Sequence, residues 1–396
     1  MVKKVFSSLR HTNFRLFWFG QMVSLCGTWI QTIVQGWLVL ELTNSAFLLG
    51  MINAISALPI MLFSLMAGVV ADRLNKKHML LTTQTLSMLL AFCLGLLVSL
   101  KIAQFWNIAV VVGLLGFVNA FDIPARQAFV VELVGKEDLN NAIALNSFAF
   151  NAARIIGPVI AGFLAGSFGL GSCFYVNGVS FLAVIFGLLF IKGDFTAKDV
   201  SRDTIFKGLV DGAKYVFAHQ KIRGLVIITA ITSIFGMANV VLMPIFARDV
   251  LKVGIEGMGI LMSAVGVGAI LGALTLAVFS HRQEKEIFIK SGTIILAISL
   301  IAFSVSKNYI LSLILLFGAG WGIITQAATV NTLLQLYTLD KMRGRVMSFY
   351  SLMFLGMTPL GSFQAGLFAD WFGAPVSLMF SGSACLILSL PFFKNI

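Results

Sequence analysis

The chain has 396 residues, of which 59% are hydrophobic and only 11% are charged, and its mean hydropathy is +0.97. A soluble globular domain carries roughly twice that charged fraction, so the composition excludes a soluble protein. The formal net charge of +12 does not indicate a nucleic-acid partner, because the basic residues fall in alternate loops and not on one patch.

Hydrophobic runs long enough to cross a bilayer recur along the whole chain. A spanning helix needs about 20 predominantly apolar residues, whereas a membrane barrel alternates apolar and polar positions. The runs therefore predict an all-α membrane protein with twelve transmembrane helices. We place these spans at residues 15–40, 45–71, 78–100, 106–123, 141–166, 172–192, 223–246, 257–279, 287–305, 309–335, 345–368 and 374–393.

The distribution of basic residues predicts how the spans are oriented. With the N-terminus inside, 23 lysines and arginines fall on inner segments, and Lys101, Arg248, Lys252 and Lys307 fall on outer loops. Inner loops of membrane proteins carry such an excess. We therefore expect a multi-pass membrane protein with both termini in the cytoplasm.

The sequence repeats itself at an offset of 204 residues. Gly68 then matches Gly272, and residues 161–169 (AGFLAGSFG) match residues 365–373 (AGLFADWFG). An internal match at one constant offset indicates two six-helix repeats in the same orientation.

The longest polar segment separates the two repeats. We predict an N-terminal six-helix half at 1–192, a cytoplasmic linker at 193–222 and a C-terminal six-helix half at 223–396. Apolar residues at helical spacing in the linker, over 205–217, predict a short helix on the inner membrane surface.

Uncharged polar residues form stripes on the helical faces of three spans. In lipid such residues must face protein or a water-filled cavity, so we expect the stripes to line one central binding cavity. Interhelical hydrogen bonding without a ligand would require the same residue types. The residues are Gln21, Ser24, Thr28, Gln31, Thr32 and Gln35 in span one, Thr229, Thr232, Ser233 and Asn239 in span seven, and Thr325, Gln326 and Thr329 in span ten.

Arg154 lies near the middle of span five, where an unpaired charge facing lipid costs on the order of a few kcal/mol. It could contact an anionic substrate group or belong to a proton-dependent pair. A fixed ion pair or a snorkelling side chain is the structural alternative. Asp122, near the cytoplasmic end of span four, is the first candidate for an acidic partner, and Glu132 in the following loop is the second.

Two motifs resemble those of the major facilitator superfamily of secondary transporters. Residues 68–77 (GVVADRLNKK) are similar to the superfamily's signature in the loop between spans two and three. Residues 157–162 (GPVIAG) are similar to the antiporter motif in span five of its drug–proton exporters, with Ala161 in place of a glycine. Gly68 of the first motif and the glycines of the second should permit close helix packing, and Pro158 should disturb its helix.

The resemblance extends over essentially the whole chain and narrows to the subfamily of enterobactin exporters and macrolide efflux pumps. The segments that carry it are residues 9–18, 36–43, 122–129, 343–348 and 358–361. It implies the major facilitator fold and rocker-switch export driven by the proton gradient. Two departures are the absence of the span-four Arg-Gln-Gly motif and the loss of the Asp-Arg pair from the second copy of the signature, at 272–285.

The same resemblance implies roles for individual residues. Asp72 would cap the start of span eleven at the turn of Gly344 and Arg345, and Asp122 would pair with Arg73 or Lys77. The residues expected to serve gating are Gly68, Asp72, Arg73, Lys77, Gly157, Pro158 and Gly162.

Asp122 and Glu132 are the proton-coupling candidates by elimination, since no acid lies at mid-membrane and all four histidines fall in or beside inner segments. Static pairing with Arg126, Arg73 or Lys136 is the alternative for both acids. No cofactor or metal site is expected, because the four cysteines lie far apart and no phosphate-binding loop is present.

The function predicted from the sequence and the resemblance is secondary active export of an amphipathic small molecule, siderophore-like or drug-like, from a bacterial inner membrane by proton antiport. A proton-independent facilitator or a lipid or lysolipid transporter of the same fold is the alternative. An enzyme is not expected, because no catalytic cluster is present. The expected partners are the small-molecule substrate, protons and membrane lipid, with the chain acting as a monomer. The predicted substrate contacts are Gln21, Thr28, Gln31, Gln35, Arg154, Thr232, Asn239 and Gln326.

Overall fold

A computed structural model describes residues 7–135, 137–193, 195, 205–279, 284–394 and 396, except for the side chains of Leu65, Val69, Asp72 and residues 205–209. Within this part of the chain, twelve helical segments are long and apolar enough to cross a membrane. The predicted number of spans is therefore confirmed.

A short 3-10 helix (Ser7–Arg10) precedes the first six spans. These are α1 (Thr12–Thr43), α2 (Ala46–Arg73), α3 (Lys76–Ser99), α4 (Phe105–Val134), α5 (Leu139–Phe168) and α6 (Leu170–Phe190). The predicted boundaries agree within a few residues except at the end of span four, where the helix continues eleven residues beyond residue 123. The apolar run stops there at charged residues, but Phe129, Val130 and Leu133 still bury one face of the helix. Arg126 and Glu132 consequently lie on α4 and not in a loop.

The remaining spans follow α7 (Ile205–Ala218), the helix predicted in the linker. They are α8 with α9 (Gln220–Phe235 and Ala238–Ile245), α10 (Gly254–Val278), α11 (Glu286–Val305), α12 (Tyr309–Tyr337), α13 with α14 (Asp340–Gly356 and Thr358–Phe372) and α15 (Ala374–Ser389). A π-helical turn (Phe246–Val250) extends α9, and a 3-10 turn (Leu390–Lys394) follows α15. Gly344 and Arg345, expected in a turn, are helical residues of α13.

The structure divides into two compact units. Unit 1 contains Met1–Leu38 and Leu58–Ser201, and unit 2 contains Val39–Ala57 and Arg202–Ile396. The sequence places the division at the linker alone, whereas the structure groups the end of α1 and the start of α2 with the second unit. Helices α1 and α2 therefore each contribute to both units.

The core of unit 1 is aromatic and aliphatic. Phe129 packs edge-on against Phe17, with ring centroids 5.5 Å apart, and against Phe195, with centroids 4.9 Å apart. Both phenylalanines of the first pair are fully buried. This cluster ties α1 to α4, and those two helices form two of the walls of the cavity described below.

Polar contacts hold one end of unit 1 together. Asp138 accepts hydrogen bonds from Ser7 Oγ at 2.6 Å and from His11 Nε2 at 2.9 Å. Lys76 Nζ lies 2.8 Å from Glu132 Oε1, and Lys77 Nζ donates to the Ile191 carbonyl at 2.7 Å. Two bases of the signature loop thus have partners on neighbouring elements.

Glycines bring some helices close together, but Gly68 does not. A Cβ atom placed on Gly157 of α5 would lie 2.5 Å from Trp29 Cβ on α1. A Cβ on Gly272 would lie 2.8 Å from the Trp321 carbonyl oxygen. A Cβ on Gly68 would meet no atom of the described residues within 4 Å. The expected close helix approach at Gly68 is therefore wrong for this structure, because its helix face is open at that position.

Helix α7 packs on α13. Asp211 Oδ2 accepts from Arg345 Nη1 at 2.9 Å, and a Cβ on Gly212 would lie 2.6 Å from the Arg345 carbonyl oxygen. Val216 is fully buried in one apolar cluster with Val346. The described part of α7 is therefore anchored on a protein surface and is not held by membrane alone.

Candidate functional site

A cavity of about 640 Å³ lies within unit 1. Its walls come from α1, α4 and α5, and its volume lies within the range of small-molecule sites. We call it the Arg126 cavity. Its lining residues are Gln21, Leu25, Arg126, Gln127, Val130, Val131, Leu139, Ile143, Asn146, Ser147, Phe150 and Asn151.

Three buried polar atoms on the cavity wall have no hydrogen-bond partner among the described residues. They are Gln21 Oε1, Arg126 Nε and Asn146 Oδ1, one from each wall helix. A buried polar atom left without a partner costs about 1–3 kcal/mol. Their convergence on one cavity therefore indicates a place where a ligand or water supplies the missing partners.

Asp122 holds Arg126 from behind the cavity wall. Its carboxylate forms an ion pair with Arg126 Nη2 one helical turn further along α4. The other carboxylate oxygen accepts from Thr83 Oγ1 at 2.7 Å and from Gln84 Nε2 at 2.8 Å, both on α3. The side chain of Asp122 is 1% exposed and that of Arg126 is 25% exposed. The guanidinium thus stands between the carboxylate and the cavity.

The contacts of the two predicted proton-coupling acids differ from the family pattern. Pairing of Asp122 with Arg73 or Lys77 is wrong for this structure, because Arg126 occupies its carboxylate and Lys77 is bonded to the Ile191 carbonyl. The alternative partner, Arg126, is the one observed. Glu132 pairs with Lys76, a base that the sequence analysis did not single out as its partner.

Arg154 lies on α5, three residues after the cavity-lining Asn151 and four after Phe150. Residues at this spacing share one face of a helix. The side chain is half-buried, and it forms no ion pair with any described residue. Arg154 itself is not among the residues that line the Arg126 cavity.

The polar stripe of span one divides into residues with different roles. Gln31 is buried and accepts from Asn177 Nδ2 of α6 at 2.6 Å, so it forms the interhelical bond that was the alternative to ligand binding. Thr28 is exposed and donates to the Ser24 carbonyl one turn back. Gln35 is half-buried. Of the predicted substrate contacts on this helix, only Gln21 lines the Arg126 cavity.

The predicted contacts in the second half all lie inside unit 2. Thr232, Asn239 and Gln326 are 2%, 3% and 1% exposed, and Gln326 Nε2 has no described hydrogen-bond partner. Gln326 occupies the repeat position of Asp122, since their numbers differ by the offset of 204. An uncharged amide thus replaces the buried acid in the second repeat.

The predicted gating residues fall into two groups. Gly157, Pro158 and Gly162 are buried within the continuous helix α5. Arg73 is exposed at the end of α2, near the half-buried Lys77. The side chain of Asp72 lies outside the described residues, and so does its expected contact with span eleven.

Two important residues were missed by the sequence analysis. The sequence places Arg126 beyond the predicted end of span four and indicates it only as an ion-pair partner, and it does not indicate Asn146 as a substrate contact. A usable signal existed in the spacing of Asn146, Ser147, Asn151 and Arg154, which fits one face of a helix. Among the described residues, no group of three or more His, Cys, Asp or Glu side chains could hold a metal ion.

Twelve membrane-spanning helices in the described part of the chain and a cavity of substrate size are typical of a membrane transporter. The family model of transmembrane secretion effectors matches residues 3–395, and the chain therefore belongs to this family of the major facilitator superfamily, whose members are efflux transporters. It is a multi-pass protein of a bacterial inner membrane.

Three curated relatives show the breadth of the family. The chain is 27% identical to the staphyloferrin A transporter of Staphylococcus aureus, over 96% of this chain and 95% of that protein. It is 26% identical to the multidrug efflux pump Tap of Mycolicibacterium fortuitum, over 94% and 91%. It is 22% identical to the enterobactin exporter of Escherichia coli O1:K1, over 85% and 80%.

A solved structure confirms the fold. The nucleoside transporter NupG superposes with a TM-score of 0.79 at 12% identity, covering 97% of this chain and 98% of that one. The expected resemblance to the major facilitator superfamily and to its enterobactin exporters is therefore confirmed.

Proposed function

We propose that this transporter exports an amphipathic small molecule, siderophore-like or drug-like, and binds it in the Arg126 cavity. The observation that carries the proposal is the convergence of three unpartnered polar atoms, including Arg126 Nε, on a cavity of about 640 Å³. The names of the relatives support both substrate types, since two transport siderophores and one is a multidrug pump.

The cavity combines two kinds of surface. Gln21, Arg126 and Asn146 offer hydrogen bonds, while Leu25, Ile143 and other apolar side chains offer a wall for an apolar body. Phe150 adds an aromatic ring, which stands edge-on to Trp29 with centroids 5.8 Å apart. Such a site selects ligands that carry polar groups on an apolar or aromatic frame.

Arg154 extends this recognition toward an acidic group. A guanidinium without an ion-pair partner, held within a membrane span, is stabilised when an anionic group binds beside it. The substrates that fit best therefore carry an acidic group about two helical turns from the part that contacts Ser147.

Transport follows an alternating-access cycle in which the two six-helix halves rock and expose the cavity to one side at a time. The two states must differ in contacts for substrate binding to shift their populations. The signature-loop residues Gly68, Asp72, Arg73 and Lys77, with the glycines and proline of α5, are the proposed gating elements. Asp72→Asn is the direct test of the loop, and unchanged efflux with normal membrane insertion would remove Asp72 from the cycle.

The driving force in this proposal is proton antiport, with Asp122 and Glu132 as the coupling candidates. Each acid has a basic partner, Arg126 or Lys76, which is the arrangement through which protonation alters contacts. An imposed pH gradient should accelerate transport into inverted proteoliposomes, and Glu132→Gln or Asp122→Asn should abolish that acceleration. Transport that ignores the gradient would favour the proton-independent facilitator or lipid carrier instead.

The substrate test uses the purified chain in proteoliposomes. Staphyloferrin A, enterobactin and a panel of lipophilic antibiotics are the probes, and a fluorescent lysolipid tests the lipid-carrier alternative. Arg154→Gln should raise KM about tenfold for acidic probes and leave neutral ones within about threefold. Equal losses for acidic and neutral probes, with poor expression, would assign Arg154 a structural role only.

A cellular experiment complements the flux assay. A strain lacking this transporter should secrete less iron chelator or become more sensitive to drugs, and the unaltered chain should restore the phenotype. We expect the monomer to be sufficient, which single-copy reconstitution in nanodiscs of defined lipid would check. The proposal fails if no probe of any class is transported by a correctly inserted chain.

A further inference from the structure

We propose that Asp122 determines whether the Arg126 cavity prefers an anionic or a cationic substrate group. It thereby determines whether substrate binding at this site is accompanied by proton uptake or by proton release. This inference rests on the proposed function, because it assumes that the cavity binds the transported solute. It assigns Asp122 a positioning and charge-compensating role, since its carboxylate does not itself line the cavity.

The first step of the argument is geometric. Asp122 lies behind Arg126, and its second oxygen is occupied by Thr83 and Gln84 of α3. These contacts hold Nη2 of the guanidinium at the carboxylate, while Nε has no hydrogen-bond partner among the described residues. A ligand in the cavity therefore meets a guanidinium whose charge the carboxylate balances and whose other N–H groups can still donate hydrogen bonds.

The second step is the charge balance. Among the described residues, Arg126 is the only ion-pair partner of Asp122. On the neighbouring elements, Lys76 is paired with Glu132, and Lys77 is bonded to a carbonyl oxygen. The other cations on the wall helices are Arg154 on α5 and the exposed Arg15 on α1, and neither forms an ion pair with Asp122. Loss of the Asp122 charge would thus leave Arg126 as a locally uncompensated cation.

The third step is linkage. An uncompensated Arg126 binds an anionic group more tightly and a cationic group less tightly than the neutral pair does. Binding linkage is reciprocal, so an anion bound at Arg126 promotes proton uptake by Asp122, and a cation promotes proton release. Exchange of substrate for protons through Asp122 therefore requires a cationic or donor group beside Arg126. If the substrate instead places its acidic group there, antiport has to use Glu132 or another group.

The repeat supports the specific role of this position. Gln326, at the equivalent place in the second half, is equally buried but uncharged. The second repeat therefore cannot compensate a cation in the same way. Of these two repeat-related positions, only the one occupied by Asp122, in the first half, can therefore select for substrate charge.

The test is equilibrium binding in nanodiscs without any gradient. The probes are three forms of one dansylated undecanoyl chain: the free carboxylate, the methyl ester and the dimethylaminoethyl amide. Asp122→Asn should tighten binding of the carboxylate about tenfold, weaken that of the amine about tenfold, and leave the ester within about threefold. Glu137→Gln, which removes an exposed charge outside the cavity, is the matched control and should leave all three affinities unchanged.

Two further measurements keep the test decisive. Asp122→Glu retains the charge and should restore the wild-type order of affinities. In weakly buffered wild-type samples, binding of the carboxylate should take up protons and binding of the amine should release them, a readout that needs no variant. The inference is overturned if Asp122→Asn changes the affinities for all three probes equally. It is also overturned if binding of the carboxylate and of the amine does not move protons in opposite directions. If the wild type binds none of the three probes, and Gln21→Leu leaves the KM of transport unchanged, the proposed function is overturned instead.

Discussion

Arg248 of the π-helical turn donates a hydrogen bond of 2.8 Å to Asn44 Oδ1, which lies 204 residues earlier, at the equivalent position of the sequence repeat. The same guanidinium donates to the Leu40 carbonyl at 3.2 Å and is held by both carboxylate oxygens of Asp249, at 2.7 and 3.0 Å. Nearby, Asp370 Oδ1 accepts from Ser45 Oγ at 3.2 Å. The turn between α1 and α2 is thus held within unit 2 by hydrogen bonds to Arg248 and Asp370.

The first prediction concerns this fastened turn. If the halves rock as proposed, the turn has to leave α14, so a Ser45→Cys/Asp370→Cys disulfide should stop transport. In a background with the four native cysteines replaced by alanine, oxidation should lower flux about tenfold or more, and a reductant should restore it. A Ser306→Cys/Ser312→Cys pair, whose serine oxygens lie 2.9 Å apart, is the control and should have no effect. Full flux through the oxidised Ser45–Asp370 variant would contradict a moving turn.

Two glutamines of α1 allow a matched comparison. Gln31 is bonded to Asn177, whereas Gln21 lines the cavity and its Oε1 has no partner among the described residues. Gln31→Leu should lower the free energy of unfolding by about 0.5–2 kcal/mol and change KM less than about twofold. Gln21→Leu should raise KM about fivefold with little loss of stability. Thermal unfolding measures the stability of the two variants, and flux measures their KM. A larger rise in KM for Gln31→Leu than for Gln21→Leu would show that Gln31, and not Gln21, contacts the substrate.

Two glycines predicted to serve gating should respond differently to alanine. Gly157→Ala places a methyl group 2.5 Å from Trp29 Cβ and should cost about 1–3 kcal/mol through overpacking. Gly68→Ala meets open space and should leave the melting temperature unchanged or raise it, because alanine favours a helix by about 1 kcal/mol. A large loss of flux in a stable Gly68→Ala variant would indicate that this face closes in another state of the cycle.

Asp138 predicts a pH-dependent contribution to stability at the end of unit 1. Hydrogen bonds from Ser7 and then from His11 lower the pKa of this carboxyl below its ordinary value. A depressed pKa stabilises the folded state above the unfolded pKa of about 3.9, and the contribution disappears as the pH falls through the folded value.

The measurement is the melting temperature of the wild type and of Asp138→Asn between neutral and acidic pH. The wild type should melt higher at neutral pH, and the difference should shrink as the carboxyl becomes protonated. Glu137→Gln, next to it and exposed, should show no such trend. A difference that grows on acidification would contradict the assigned contacts.

The sequence by itself determined the twelve spans, the repeat and the family, because the length of an apolar run and the identity of a motif are local properties. It also indicated Gln21 and Arg154 as candidate substrate contacts, since a polar group within a span must face protein or a water-filled cavity. It placed Arg126 in a loop, because a hydropathy boundary stops at charged residues even where the helix continues.

Only the tertiary structure decided how each polar side chain is used. Gln21 and Gln31 have the same chemistry on the same helix, yet one meets Asn177 and the other meets a cavity. Asp122 pairs with Arg126 one turn away, and Gly68 faces open space while Gly157 contacts Trp29. Partners are set by which helices pack together, and that depends on contacts between residues far apart in the chain, which no local pattern specifies.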